Sequence, residues 1–129
     1  MRSLALRLLA LERSQQPDPH QHLHEAVRVC EKLRLSLTRF AGADGFASLL
    51  RRSLALARAE VPSLTRVTVN PDSSMDGPEA LAAAEVDGGA EAAVALAAQL
   101  LGLLVTFIGE PLTLRLLRES WPHASFDAQ

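Results

Sequence analysis

Residues 90–108, AEAAVALAAQLLGLLVTFI, decide the fold of this chain. Glu91 is the one charged residue in this stretch, and its alanines and leucines are strong helix formers. A helix that is apolar on every side is either the central helix of a core or a membrane span. Gln99 in its middle and the lack of flanking basic residues argue against a span. We therefore predict a central core helix.

Amphipathic helices are predicted on both sides of this segment. Apolar residues recur at spacings of three and four over 3–14, 19–41 and 44–61, which is the periodicity of a helix with one buried side. The short link between the second and the third of these helices predicts an antiparallel hairpin. A last helix is predicted over 111–121, after a glycine and a proline that end the central one.

Residues 62–78 interrupt the helical pattern with prolines, a glycine and short polar side chains. Val67-Thr68-Val69 has the composition of a short edge strand, but we expect no second strand in the chain to pair with it. The sequence therefore predicts one long irregular loop here. A short helical segment is predicted to follow it, over 79–86.

Composition supports the same fold class. The chain has 129 residues, the usual length of one domain, and 48% of them are hydrophobic while only 4% are aromatic. We predict an all-α fold: a single domain over 1–129, a bundle of about five helices with a central apolar helix (90–108) and one long irregular loop (62–78). Residues 1–16 could be a detachable N-terminal amphipathic helix that packs on a second copy of the chain.

Cys30 is the only cysteine, so no disulfide can form within the chain. The apolar N-terminal run contains Arg7 and lacks a small-residue cleavage site, which argues against a secretory signal. Both observations favour a cytoplasmic protein. Because Cys30 lies in the apolar seam of the predicted helix 19–41, we expect a buried, inert thiol.

Charge is divided unevenly along the chain. Residues 1–70 carry eleven Lys and Arg against six Asp and Glu, whereas residues 71–129 carry two against nine. We favour two halves that attract each other within one fold, with a basic surface for a partner as the alternative. The candidate partner-binding residues are arginines on the outer sides of the second and third helices: Arg34, Arg39, Arg51, Arg52 and Arg58.

His20, His22 and His24 form the densest group of candidate metal ligands. His20 and His24 lie four residues apart and would project from the same side of a helix, which suits a zinc or another transition-metal ion. A structural zinc needs four ligands, however, and the only other histidine, His123, lies near the C-terminal end. We favour a solvated helical turn without metal, and we expect no other cofactor.

The sequence contains no recognisable catalytic motif, such as a glycine-rich phosphate loop or His-Glu-x-x-His. We therefore predict a non-enzymatic protein-interaction or regulatory module that binds a protein partner or associates with itself. The alternative is a small-ligand or metal sensor that uses the three histidines or an apolar pocket in the bundle, and an enzyme ranks third. Neither a nucleic acid nor a membrane is expected as a partner, because aromatic platforms, a basic domain and flanking cationic anchors are missing.

Overall fold

The computed structural model describes residues 2–15, 22–71, 75–77 and 89–122. These residues form four α-helices, which are α1 (Arg2–Gln15), α2 (His22–Glu60), α3 (Ala90–Ile108) and α4 (Glu110–Ser120). The geometry of α2 is interrupted at Gly42, which divides it into two arms, 22–41 and 43–60. With these arms counted separately, the described part of the chain has five α-helical segments, and the all-α prediction is confirmed. The predicted segment 79–86 lies outside the described residues.

Helix α3 is the centre of the bundle. Residues 92–97, 100, 101 and 104 are buried, and α3 contacts α2 most extensively and also α1 and α4. The prediction of a central apolar helix is therefore confirmed. At its C-terminal end, however, the Phe107 side chain is 66% exposed. The apolar surface of α3 thus continues from the core to the surface of the protein.

Among the described residues, Ala90–Ile108 is the one helix whose length and mean hydropathy of 2.0 would allow it to cross a membrane. Half of this stretch is buried by the other helices of the bundle. Core helices of soluble proteins meet the same criteria of length and hydropathy. Length and composition therefore do not assign α3 to a membrane.

Helix α2 turns at Gly42, whose φ of 74° and ψ of 170° are tolerated essentially by glycine alone. Leu37 on the first arm and Leu49 on the second arm line the same cavity. In a straight helix these two residues would be about 18 Å apart along the axis. The turn therefore brings the two arms together, as the predicted hairpin requires.

The segment between α2 and α3 is more regular than predicted. Pro62–Arg66 forms a 3-10 turn, and Thr68–Val69 (β1) pairs antiparallel with Met75–Asp76 (β2). The expectation that the strand near Val67 lacks a partner is therefore wrong. Its partner lies in the same loop and is only two residues long, too short to show an alternating pattern in the sequence.

Helix α1 is part of the core of its own chain. Ala5, Leu8 and Leu9 are buried, and α1 packs against both α3 and α2. Leu6, on the opposite side, is about half exposed. The apolar side of the N-terminal helix that could have received a second copy is therefore already covered by the same chain.

We expect Gly42→Ala to lower the free energy of unfolding by about 1–3 kcal/mol, measured by urea denaturation. A Cβ at this position would meet no atom within 4 Å, so the cost comes from the backbone conformation alone. Ser48→Ala, at an exposed position of the second arm, is the control and should change stability by less than about 0.5 kcal/mol. Equal stability of the two variants would show that the turn does not need glycine.

Candidate functional site

Glu12 is a buried carboxylate at the point where three elements meet. Only 2% of its side chain is exposed. It accepts a hydrogen bond from Nε of Arg28 at 3.3 Å, and the Lys32 ammonium lies 2.5 Å from its Oε2. The same Oε2 accepts a hydrogen bond from Nε1 of Trp121 at 2.8 Å. We call these four residues the Glu12 cluster.

A second buried carboxylate, Glu25, lies at the start of α2. Its side chain is fully buried, and Arg13 of α1 donates to both of its oxygens, from Nε at 2.9 Å and from Nη2 at 3.1 Å. Hydrogen bonding and the charge of Glu25 raise the pKa of Arg13. This two-point pairing is a strong geometry for an arginine and a carboxylate. Helix α1 is therefore tied to α2 at both Glu12 and Glu25.

Buried charges are often part of a functional site, but these two glutamates have a structural role. Both oxygens of Glu12 and of Glu25 are bound by side chains of the same chain, and Trp121 closes one side of Glu12. No group of three or more metal-ligating side chains occurs among the described residues. The two carboxylates therefore tie α1 to α2, and Glu12 also ties both helices to Trp121.

The sequence analysis missed the importance of Glu12, although a signal was present. Ala5, Leu8, Leu9 and Glu12 recur at spacings of three, one and three, and all four are buried. A charged residue on the apolar side of an amphipathic helix predicts a buried ion pair. The periodicity predicted over 3–14 counted apolar residues only and left Glu12 among the polar ones.

The five arginines proposed to bind a partner differ in their contacts: two are bound within the chain and three are exposed. Arg34 lies 2.7 Å from Oε2 of Glu31, one turn before it in the same helix. Arg58 donates to the carbonyl oxygens of Leu64 and Val67, at 3.3 and 2.6 Å, and so fixes the 3-10 turn. The side chains of the remaining three are exposed: Arg39, Arg51 and Arg52.

Within the described residues, most of the ion pairs lie inside the first half of the chain. The pairs described above, of Arg13, Arg28, Lys32 and Arg34, all join residues within 1–70. Between the halves, Arg2 approaches Glu91 at 4.0 Å, and both side chains are well exposed. Such a surface pair contributes little to stability. Four basic residues of the first half are therefore bound by its own acids. Attraction between the two halves stays a prediction, because five of the nine acids of the second half lie outside the described residues.

An apolar groove lies where the two arms of α2 meet the C-terminal end of α3. It encloses a cavity of about 370 Å³. The second arm and α3 contribute residues at the helical spacings of three and four, so that two helices form the walls. The lining residues are Leu37, Gly45, Ser48, Leu49, Arg52, Leu104, Phe107 and Ile108. Arg52 is the only charged residue among them, and Phe107 stands at the edge toward solvent.

The histidine site stays a prediction. His20 lies outside the described residues, and His22 and His24 are in the first turn of α2. The structure describes the backbone of these two residues but not their side chains.

Comparison with known proteins gives no relative. No protein-family model, curated protein or solved structure matches this chain. The function is therefore inferred from the geometry of the groove and from the charges around it.

Cys30 has the buried position expected for it, with 2% of the residue exposed. Burial, and to a lesser extent the charge of Glu31, raises the pKa of the Cys30 thiol to about 12. At neutral pH almost no thiolate forms, and the thiolate is the reactive species. Cys30 is therefore inert in the folded protein.

We expect an aromatic disulfide reagent at pH 8 to react with Cys30 at least about a thousandfold more slowly in the native chain than in urea, because reaction requires unfolding. Leu35→Cys in a Cys30→Ala background, with an exposed thiol, is the control and should react at the rate of the unfolded chain. Rapid reaction of native Cys30 would contradict this.

Replacement of Glu12 by glutamine should lower the free energy of unfolding by about 3 kcal/mol, because Arg28 and Lys32 lose their counter-charge in a partly buried site. The matched control is Glu31→Gln, which removes a more solvent-exposed pair with Arg34 within one helix and should change stability by less than about 0.5 kcal/mol. Chemical denaturation measures both values, and similar losses for the two variants would refute the role of the Glu12 cluster.

Proposed function

We propose that this protein is a non-enzymatic interaction module, active in the cytoplasm, that binds a protein through the apolar groove. The observation that carries this proposal is Phe107, which is 66% exposed at the edge of an apolar cavity. A large aromatic side chain beside an unfilled apolar surface is typical of protein-binding sites. Aromatic residues of this kind contribute much of the binding energy of an interface.

The shape of the groove favours a partner that docks through a helix. The second arm contributes one wall, formed by Gly45, Ser48, Leu49 and Arg52. Helix α3 contributes the other wall, formed by Leu104, Phe107 and Ile108. An apolar groove between two helices is the kind of surface that accepts the apolar side of an amphipathic helix. Arg52 also lines the groove, and its guanidinium could donate hydrogen bonds to a carboxylate of the partner. Such a pair would orient the partner on the groove.

A small apolar ligand is the second candidate, because the cavity of about 370 Å³ falls within the range of known ligand pockets. Such a ligand would fill the space between the helices, but it would leave the outer side of Phe107 in water. A protein surface would cover both the cavity and this ring. The exposed ring therefore favours a protein.

The proposal is tested by placing a photo-crosslinking amino acid at position 107 in the cell that naturally makes the protein. Leu35→crosslinker is the matched control, because Leu35 is 64% exposed but does not line the groove. We expect a discrete protein adduct from position 107 that is absent from position 35. Its yield should fall when Arg52→Glu is added.

Two results would contradict the proposal. Adducts of equal yield from both positions would show that the groove has no special role. The second result is the absence of any protein adduct at position 107, together with an apolar small molecule that copurifies with the chain. If this molecule no longer copurifies with the Leu49→Gln variant, the ligand-binding alternative is favoured.

A further inference from the structure

We infer that the partner that docks on the apolar groove is a second copy of this chain, bound about a two-fold axis with Phe107 of each copy placed in the groove of the other. This inference rests on the proposed function and adds the identity of the partner. In a two-fold dimer the same patch meets itself, so each patch must offer both halves of every contact. The patch around the groove meets this requirement in its shape and in its charge.

The shape is self-complementary because a projecting side chain and a cavity lie side by side. Phe107 lines the groove, yet 66% of it is exposed, so its ring projects beyond the cavity that it borders. A two-fold rotation near this point brings the ring of each copy to the cavity of the other. Two aromatic rings and two cavities would then form the buried centre of the interface, where most binding energy is concentrated.

The charge is self-complementary because both signs occur beside the groove. Arg52 is part of the lining, Asp44 precedes the lining residue Gly45, and Glu110 follows Ile108 by two residues. All three side chains are exposed, and none of them forms an ion pair with another residue in the described ranges. A two-fold axis through the patch lets each arginine approach an acid of the other copy. By contrast, Arg34 and Arg58 are already bound within their own chain.

Among the described residues, the other exposed apolar side chains do not offer a comparable surface. Leu6, Leu35 and Leu56 are exposed on the outer sides of α1 and α2, and none of them lines the groove. Single exposed apolar residues are common on protein surfaces. The remaining apolar side of α1 is buried in its own core, so that helix does not provide the interface.

Sedimentation equilibrium of the full chain tests this inference. We expect a reversible equilibrium between the 13.9 kDa chain and a species of twice that mass, with a dissociation constant in the micromolar range. Phe107→Ser should weaken the dimer by more than about tenfold, because a buried aromatic anchor is lost from both sides of the interface. Leu35→Ser, at a position of equal exposure, should leave the dissociation constant unchanged.

A second pair of variants tests the charge. Arg52→Glu should weaken the dimer, since it places an acid opposite the acids of the other copy. Arg66→Glu should not, since Arg66 is exposed on the 3-10 turn after the second arm and does not line the groove. Circular dichroism of each variant checks that the helices are retained. All four replaced side chains are exposed, so we expect unchanged folding.

Several results would overturn the inference. A chain that stays monomeric at millimolar concentration excludes the dimer. If the crosslinker at position 107 still gives a protein adduct in that case, the interaction function stands and the partner is a different protein. If no adduct forms either, both proposals fail. A dimer that is weakened equally by Phe107→Ser and Leu35→Ser would place its interface elsewhere.

Discussion

The bundle depends on the neutralisation of one buried carboxylate, that of Glu12. Helix α1 has 14 residues, which is marginal for a stable helix in water, so it must be held by packing and by its ties to α2. Burial of Glu12 beside Leu8 and Leu9 requires compensating charge, which Arg28 and Lys32 of α2 supply. Trp121 completes the arrangement from the end of α4. One side chain thereby fixes the relative positions of α1, the first arm of α2 and the end of α4.

Because these contacts use many of the charged side chains, they determine which side chains remain available to bind a partner. Cations near Glu12 and Glu25 are bound within the chain, and Arg58 is bound to the loop after α2. The apolar surface of α3 is longer than its neighbours cover, because α3 continues past the groove to the exposed Phe107. An exposed aromatic ring, a cavity and one lining arginine therefore occur together at this end of the bundle. The Glu12 cluster, by contrast, is closed by side chains of the same chain.

The helices could be predicted from the sequence because each has a clear apolar period, and α3 could be placed at the centre because it is apolar on every side. The apolar period over 44–61 correctly predicted that the second arm has a buried side, on which Phe46, Leu50 and Leu54 lie. The Glu12 cluster could not be assembled in this way, because Glu12 and Trp121 are 109 residues apart and meet only through the fold. The groove was missed for a similar reason. Periodicity shows that Phe107 is apolar, but not that neighbouring helices fail to cover it.

The central claim is that the surface around Phe107 is a protein interface formed by two copies of the chain, while the Glu12 cluster is internal. The most direct measurement is the concentration dependence of amide NMR chemical shifts in the unmodified protein. We expect the resonances of residues 44–52 and 104–110 to shift together with one dissociation constant. Those of residues 8–13 and 28–32 should stay constant. Shifts confined to the second set, or no concentration dependence in either set, would contradict the claim.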